Sequence, residues 1–270
     1  MMKRAISRTA LYSFLSVFSL LFIFPFMYVI YTSLQQPGDY DKIVPLANLT
    51  LDNYRYVFSQ NILTWYKNSI IVTGFIMLGN VIVDSMAAYV IARIKFPGRN
   101  IAFFLIIGMM MIPYQIIIVP LYTMLIDLNM LNTYASLILP FLFQGLLVFL
   151  MRQYFQSIPK ELEEAAKLDG LTRAQMFFRV IIPVSKTAFS TLLIFCFTGT
   201  WNSFIWCATF VNDKNMYVLP VGLNTLKDIN FDIPGYTMAG VVLVTVPVII
   251  IFAIFQKQFV QGIVMSGIKG

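Results

Sequence analysis

The sequence predicts an all-α polytopic membrane protein with six transmembrane helices and both termini in the cytoplasm, and composition is the first observation behind that prediction. Of the 270 residues, 59% are hydrophobic and only 11% are charged, whereas a soluble globular chain carries about 25% charged residues. Such a chain cannot cover a water-facing surface, and it is too apolar to remain disordered. The absence of histidine excludes Ser-His-Asp and Cys-His catalysis and histidine-ligated metals.

Six apolar stretches are the second observation, since a helix needs about 20 apolar residues to cross a hydrocarbon core about 30 Å thick. They lie near residues 12–34, 69–91, 101–124, 134–151, 187–211 and 237–255. Three connections are long: residues 35–67 and 212–236 outside the cell, and residues 152–186 in the cytoplasm. We therefore divide the chain into a first helix with its external segment (1–66), a transmembrane core (67–260) and a cytoplasmic tail (261–270).

The distribution of basic residues is the third observation. With the N-terminus in the cytoplasm, 14 of the 19 Lys and Arg residues fall on the cytoplasmic side and five fall outside, as the positive-inside rule requires. Seven of the 12 acidic residues are external. This arrangement predicts an even number of crossings, and it explains the net charge of +7 without a nucleic-acid partner.

Asp84 is the only acidic residue within a predicted span. An intramembrane carboxylate is costly unless it faces protein or water. We favour an interhelical hydrogen bond over a proton or cation site, because no partner groups for a proton relay are evident. Cys196 and Cys207 fit no disulfide framework and no CxxC pattern, and we interpret them as small buried hydrophobic residues.

The fifth span carries a polar and aromatic group, namely Trp201, Asn202, Ser203 and Trp206. Aromatic faces and amide groups suit a sugar, whose C–H face stacks on rings while its hydroxyls need hydrogen bonds. Core packing explains the aromatic rings equally well. In the third span, Gly108, Pro113 and Pro120 are positions where the helix can kink.

The long cytoplasmic connection contains the pattern SIPKELEEAAKLDGLTRAQMFFRVIIP at residues 157–183. Pro159 suits the first turn of a helix of about 11 residues, the glutamates that follow favour its positive end, and Gly170 is a typical C-terminal residue. Thr172 and Gln175 form a capping box for a second short helix, which Pro183 ends. The apolar face of that second helix comprises Met176, Phe177, Val180 and Ile181.

In the first of these helices, the spacing places Leu162, Ala165, Ala166 and Asp169 on one stripe, where small residues would let another protein approach closely. The alternative is an amphipathic helix lying on lipid headgroups. That alternative suits Phe177–Ile181 better than the glutamate-rich first helix, so we favour a docking role for the first.

The run EEAAKLDG at 163–170, followed after twelve residues by Pro183, closely resembles the EAA loop of ABC importer membrane subunits. Further stretches resemble the maltose-permease-like subunits of the carbohydrate-importer branch, in order along nearly the whole chain. They are DNYRYVF at 52–58, NS at 68–69, AAYVIARIKFPGR at 87–99, PYQIIIVPLY at 113–122, LNTYASLILP at 131–140, WN at 201–202, VLPVGL at 218–223 and the ending QGIVMSGIKG.

The resemblance implies a type I ABC importer membrane subunit whose EAA helix seats in a cleft of a cytoplasmic ATPase. Carried over by position, the ATPase-coupling residues are Glu164, Ala165, Ala166, Asp169, Gly170 and Pro183, and the tail at 267–270 reaches towards the ATPase pair. The implied partners are a second, homologous permease subunit, two ATPase subunits that hold ATP and Mg, an extracytoplasmic solute-binding protein and the lipid bilayer. The chain has no GxxxxGK[ST] phosphate loop and therefore needs a separate ATPase.

These observations predict a permease of the bacterial cell membrane that imports a carbohydrate, in the first place an oligosaccharide, by alternating access. The chain itself is not expected to be an enzyme or to bind a cofactor. Two alternatives stay open: a permease for a non-sugar solute such as an amino acid or phosphate, and a stand-alone membrane channel or enzyme.

Overall fold

The computed structural model describes the backbone of residues 2–229 and 233–267, and the side chains of residues 11–226 and 233–256. Within these residues the chain is helical and contains no strand, which confirms the all-α class. The helices are α1 (Met2–Ser33), α2 (Asp52–Ser59), α3 (Ile62–Arg93), α4 (Arg99–Met111), α5 (Tyr114–Asp127), α6 (Tyr134–Ile138), α7 (Gly145–Ser157), α8 (Glu161–Leu168), α9 (Arg173–Met176), α10 (Ile182–Val184), α11 (Lys186–Trp201), α12 (Ile205–Phe210), α13 (Leu219–Ile229) and α14 (Pro234–Gly267).

Four helical segments of the described chain are long and apolar enough to cross a membrane: Leu11–Ser33, Ile62–Arg93, Tyr134–Ser157 and Pro234–Gln256. Two bent helix pairs raise the number to six if each pair is one span. The described residues therefore contain four to six helical segments long and apolar enough to cross a membrane.

The helix α3 is longer than predicted. It begins at Ile62 rather than near residue 69, and its 32 residues extend about 48 Å, well beyond a hydrocarbon core about 30 Å thick. The external segment predicted at 35–67 is correspondingly shorter, and it contains the helix α2. Likewise, the connection predicted at 212–236 contains α13, which leaves residues 212–218 as the loop before that helix.

The third and fifth predicted spans are not straight helices. At Pro113 the third span bends by 96° between α4 and α5, because proline disfavours a helical conformation in the preceding residue and Ile112 is extended there. Pro120 lies inside α5. The predicted span 187–211 is wrong in its second half, since α11 ends at Trp201 and residues 202–204 separate it from α12. The helix before α11, at Arg173–Val184, joins α11 at an angle of 82°.

The chain divides into two compact units, one formed by Met1–Leu63 and Gly222–Val246 and the other by Thr64–Val221 and Pro247–Gly270. In the first unit, the end of α1 is tied to α2 by Asn53, whose buried amide donates hydrogen bonds of 2.9 and 2.7 Å to the carbonyl oxygens of Ser33 and Gln35. Tyr56 stacks on Tyr236 with ring centroids 4.0 Å apart.

In the second unit, α7 contacts both α4 and α11. One face of α7 is buried, through Leu147, Val148, Met151 and Phe155. Lipid tails are as apolar as these side chains, so close packing, rather than removal of apolar surface from water, holds such helices together.

Asp84 is fully buried, and its Oδ1 accepts a hydrogen bond of 3.1 Å from the backbone N–H of Gln144. Gln144 is the N-cap residue of α7, and its side-chain amide donates to Asn80 Oδ1 at 3.0 Å. The interhelical hydrogen bond predicted for Asp84 is therefore present. Cys196 and Cys207 are both free and buried, as predicted.

Candidate functional site

The helix α8 is the first element of the predicted EAA loop. It spans eight residues with Lys160 as its N-cap, so it is shorter than the predicted 11 residues and leaves Pro159 just outside. Its first turn carries Glu161, Glu163 and Glu164, and its last turn carries Lys167. Both placements complement the helix dipole, which explains why so short a segment is helical.

The turn after α8 is a Schellman motif. The N–H of Leu171 donates to the carbonyl oxygen of Ala166, and the N–H of Gly170 donates to that of Lys167, each at 3.1 Å. Gly170 has a φ of +78°, a left-handed conformation that glycine adopts without steric cost. This confirms the predicted helix end at Gly170, and it directs the chain sharply into α9.

The segment after this turn begins with the predicted capping box. Thr172 Oγ1 accepts from the backbone N–H of Gln175, while the Gln175 side chain accepts from the backbone N–H of Thr172. A π-helical segment, Phe177–Ile181, follows α9 and leads into α10, which contains Pro183. The predicted apolar face is largely buried within the protein, since Met176, Phe177 and Ile181 are all buried. These three side chains therefore face the core, and a position on lipid headgroups is wrong for them.

The two faces of α8 differ sharply in exposure. Ala166 is buried and Glu163 is partly buried, whereas Glu164, Ala165 and Leu168 are exposed. Successive residues of a helix are about 100° apart around its axis. The stripe predicted from spacing therefore does not lie on one face of α8, since Ala166 is buried and Ala165 is exposed. Ala166 turns towards the protein, and the exposed residues, among them Glu161, Glu164, Ala165 and Leu168, form the predicted docking face.

On the inner face of α8, Glu163 pairs with Arg93, the last residue of α3. Arg93 Nε lies 3.1 Å from Glu163 Oε1, and the two side chains are only 5% and 19% exposed. The Nε–H bond of Arg93 is not directed at Glu163 Oε1 as a hydrogen bond requires. The contact is therefore an ion pair. Burial raises the pKa of the Glu163 carboxyl, and the Arg93 guanidinium opposes that rise only in part.

A cleft of about 900 Å³ lies between the end of α3 and the EAA loop. Six basic side chains and two acidic ones line it, namely Arg93, Lys95, Arg99, Lys160, Lys167, Arg173, Glu163 and Glu164. Among the described side chains, Glu163 is the only acidic partner in an ion pair with any of these basic groups. The surroundings of α8 are therefore strongly electropositive.

The residues predicted to line a substrate path lie where α11 breaks. Trp201 is buried and stacks on Phe197 at 5.3 Å, and Trp206 is buried and stacks on Phe141 at 4.1 Å. Asn202 is exposed and donates through its amide to Thr198 O at 2.9 Å. Ser203 donates to Gly199 O at 2.6 Å. In this structure the rings thus pack against the protein, while Asn202 is open to a ligand.

Comparison with known proteins defines the class. The family of binding-protein-dependent transport system inner membrane components matches residues 84–265, and the chain belongs to it. It is therefore a membrane subunit of a transporter and not an enzyme. This confirms the resemblance predicted from the EAA pattern.

Several similar proteins are named as permeases for oligosaccharides or sugars. The arabinooligosaccharides transport system permease protein AraQ of Halalkalibacterium halodurans is 35% identical over 266 residues, covering 97% of this chain and 94% of that protein. The trehalose/maltose transport system permease protein MalG of Thermococcus litoralis is 31% identical over 255 residues, covering 92% of each. A chain in the crystal structure of a bacterial ABC transporter that imports the acidic polysaccharide alginate superposes with a TM-score of 0.81 at 25% identity, covering 96% of this chain and 98% of that one.

Two residues of the site were missed by sequence reasoning. Leu168 is 89% exposed on the docking face, and plotting α8 at 100° per residue would have found it beside Glu164 and Ala165. No local sequence pattern points to Arg93, because its partner Glu163 lies 70 residues further along the chain. The tail at 261–270 lies outside the residues whose side chains are described.

Proposed function

We propose that the chain is a permease subunit of an ATP-driven ABC importer for a carbohydrate, in the first place an oligosaccharide. In this proposal it works in the bacterial cell membrane with a second permease, two ATPase subunits that hold ATP and Mg, and an extracytoplasmic solute-binding protein. The carbohydrate class is supported by the names of its relatives, which transport arabinooligosaccharides and trehalose or maltose, and by the alginate importer.

The observation that carries the coupling role is the geometry of α8. Its inner face is held against the protein by Glu163 and Ala166, while Glu164, Ala165 and Leu168 remain exposed. A partner seated on that exposed face would move the helix together with α3. Asp169, Gly170 and Pro183 would then act by fixing the ends of the loop rather than by contact.

The break in α11 supports a substrate path near Trp201, Asn202, Ser203 and Trp206. Non-helical backbone at membrane depth is tolerated only where protein buries it or where it lines a water-filled cavity. Residues 202–204 are non-helical, and Asn202 is exposed there. We therefore assign the hydrogen-bonding role to Asn202 in the first place.

The decisive experiment is co-purification followed by uptake. The chain is expressed with the permease, ATPase and solute-binding protein encoded beside it, and the purified complex is reconstituted in proteoliposomes. We expect ATP-dependent uptake of labelled arabinooligosaccharides or maltooligosaccharides. A stable homo-oligomer that excludes the ATPase would contradict the importer. Uptake of an amino acid or phosphate in place of sugars would leave the importer intact but overturn the substrate class.

We also propose six crossings with both termini in the cytoplasm. Ile43, which is 97% exposed, and Leu128 would then lie outside the cell, and Leu168 would lie inside. Because both native cysteines are buried, an impermeant maleimide applied to intact cells should label I43C and L128C, and should reach L168C only after permeabilisation. Labelling of L128C only after permeabilisation would make α4 and α5 a re-entrant loop and reduce the number of crossings.

A further inference from the structure

The cytoplasmic end of α3, in the proposed topology, holds the EAA loop at two points through one side chain. Arg93 Nε pairs with Glu163 Oε1 on the inner face of α8. The Nη2 of the same guanidinium donates a hydrogen bond to the carbonyl oxygen of Ile158, three residues before α8 begins. The planar guanidinium can serve both acceptors at once, which the single ammonium group of lysine cannot do with the same geometry.

Aromatic packing strengthens the same junction. Tyr89 lies one turn before Arg93, on the same face of α3. Its ring is 6.3 Å from that of Phe155, which precedes α8, and 5.1 Å from that of Phe177, which follows α9. The residues on both sides of α8 are therefore packed against α3.

The opposite end of α3 is fastened to the loop before α13. Trp65 Nε1 donates to Lys214 O at 3.0 Å. The Asn68 amide donates to Asn215 O and Tyr217 O at 2.8 and 2.9 Å, and the backbone N–H of Leu219 donates to Ser69 Oγ at 2.7 Å. About 42 Å of continuous helix separates Trp65 from Arg93. A single element thus connects the EAA loop with residues 214–219.

We propose that Arg93 is a positioning residue that couples α8 to α3, so that α3 transmits a displacement of the EAA helix to the loop at residues 214–219. The inference rests on the proposed function for the origin of that displacement. Arg93 touches neither substrate nor nucleotide in this scheme, and it acts by making α8 and α3 move as one body. Glu163, which faces inwards, is then part of the coupling machinery although it lies off the exposed face of α8.

The first test measures the junction itself, in the full chain reconstituted in lipid nanodiscs. In R93Q we expect the α8 amides to exchange hydrogen about tenfold faster or more, since hydrogen bonds to charged groups are among the stronger ones. R93K should give an intermediate exchange rate, because lysine keeps the positive charge but cannot contact both oxygen atoms with the geometry of the planar guanidinium. The charge-swapped pair R93E with E163R should restore part of the protection, because it re-forms the ion pair but cannot donate to the carbonyl oxygen of Ile158.

Two matched substitutions serve as controls. R173Q removes a basic group that lines the same cleft and has no ion pair among the described side chains, and E161Q removes an exposed acid from the same turn of α8. R173Q should leave the exchange rate unchanged, and E161Q should raise it only about two- to fivefold, because it removes one favourable interaction with the helix dipole. Native exchange in R93Q, or exchange in the swapped pair that is no slower than in R93E alone, would overturn the proposal.

The second test measures transmission in the reconstituted transporter. A cysteine at exposed Lys214 is labelled with maleimide with and without MgATP. With Arg93 in place, we expect MgATP to change the labelling rate. In R93Q that change should disappear while ATP hydrolysis continues, and the swapped pair should restore it in part, through the ion pair alone.

The two tests distinguish failure of the Arg93 proposal from failure of the proposed importer function. An ATP-dependent labelling change that persists in R93Q would overturn transmission through Arg93, although the importer would stand. If the native chain binds no ATPase, the proposed function fails, and hydrogen exchange in the chain alone still decides whether Arg93 holds α8.

Discussion

Substitutions at Gly170 can distinguish the cost of the left-handed backbone conformation from a clash between the new side chain and a partner protein. Its φ of +78° is left-handed, and a Cβ at this position would have no atom within 4 Å. A substitution therefore meets no steric obstacle within the chain, and its cost is the cost of the conformation. That cost is about 1–2 kcal/mol for an ordinary residue and smaller for asparagine, which visits the left-handed region routinely.

The expected order of damage is therefore set by conformation and not by volume. G170A should weaken the turn by about 1–2 kcal/mol, or roughly 5–30-fold in its equilibrium. G170V should cost more, because β-branched residues are outliers at positive φ. G170N should cost least, although asparagine is larger than alanine.

Two measurements check this order. Hydrogen exchange at the amides of Gly170 and Leu171, which donate to Lys167 and Ala166, reports the turn. ATP-driven uptake by the reconstituted transporter reports coupling. If uptake is lost in order of side-chain volume, with G170N worse than G170A, the conformational reasoning is refuted, and close approach of a partner to Gly170 becomes the explanation.

Three further substitutions have defined outcomes. E164K should abolish co-purification of the ATPase and leave the fold intact, because Glu164 is exposed on the docking face. R93Q should destabilise the protein more as pH rises: burial already raises the pKa of Glu163, and without Arg93 the ionised carboxylate is unopposed. Thermal unfolding should therefore show the deficit shrinking when acidification protonates Glu163. G235A should lower the unfolding free energy by about 1–3 kcal/mol, measured by thermal melting, because its Cβ would lie 2.5 Å from Asn53 Nδ2.

Controls for these substitutions lie nearby. E164Q removes the charge of Glu164 without reversing it and should retain more of the ATPase than E164K, which would tie the loss in E164K to the positive charge at this exposed position. G240A approaches only the flexible end of Leu223, at 3.0 Å, and should be milder than G235A. A pH-independent deficit in R93Q would contradict the role given to Glu163.

Local patterns predicted much of the molecule because they depend on neighbours in sequence. Apolar length specified the membrane helices, and the capping box at Thr172 formed as predicted. The helix end at Gly170 was also correct. Boundaries were less accurate, as with α3, which starts at Ile62 rather than near residue 69. Its first turns carry polar residues such as Lys67 and Asn68, which hydropathy assigns to a loop.

The sequence by itself determined the membrane class, the helical fold and the position of the EAA loop, because apolar length, helix caps and a contiguous motif are local properties. Tertiary structure decided which side of α8 is free. Ala166 and Glu163 face inwards, and Arg93 at the end of α3 pairs with Glu163, 70 residues further along the chain. Contacts of that separation depend on how helices pack, and no periodicity within a single helix encodes them.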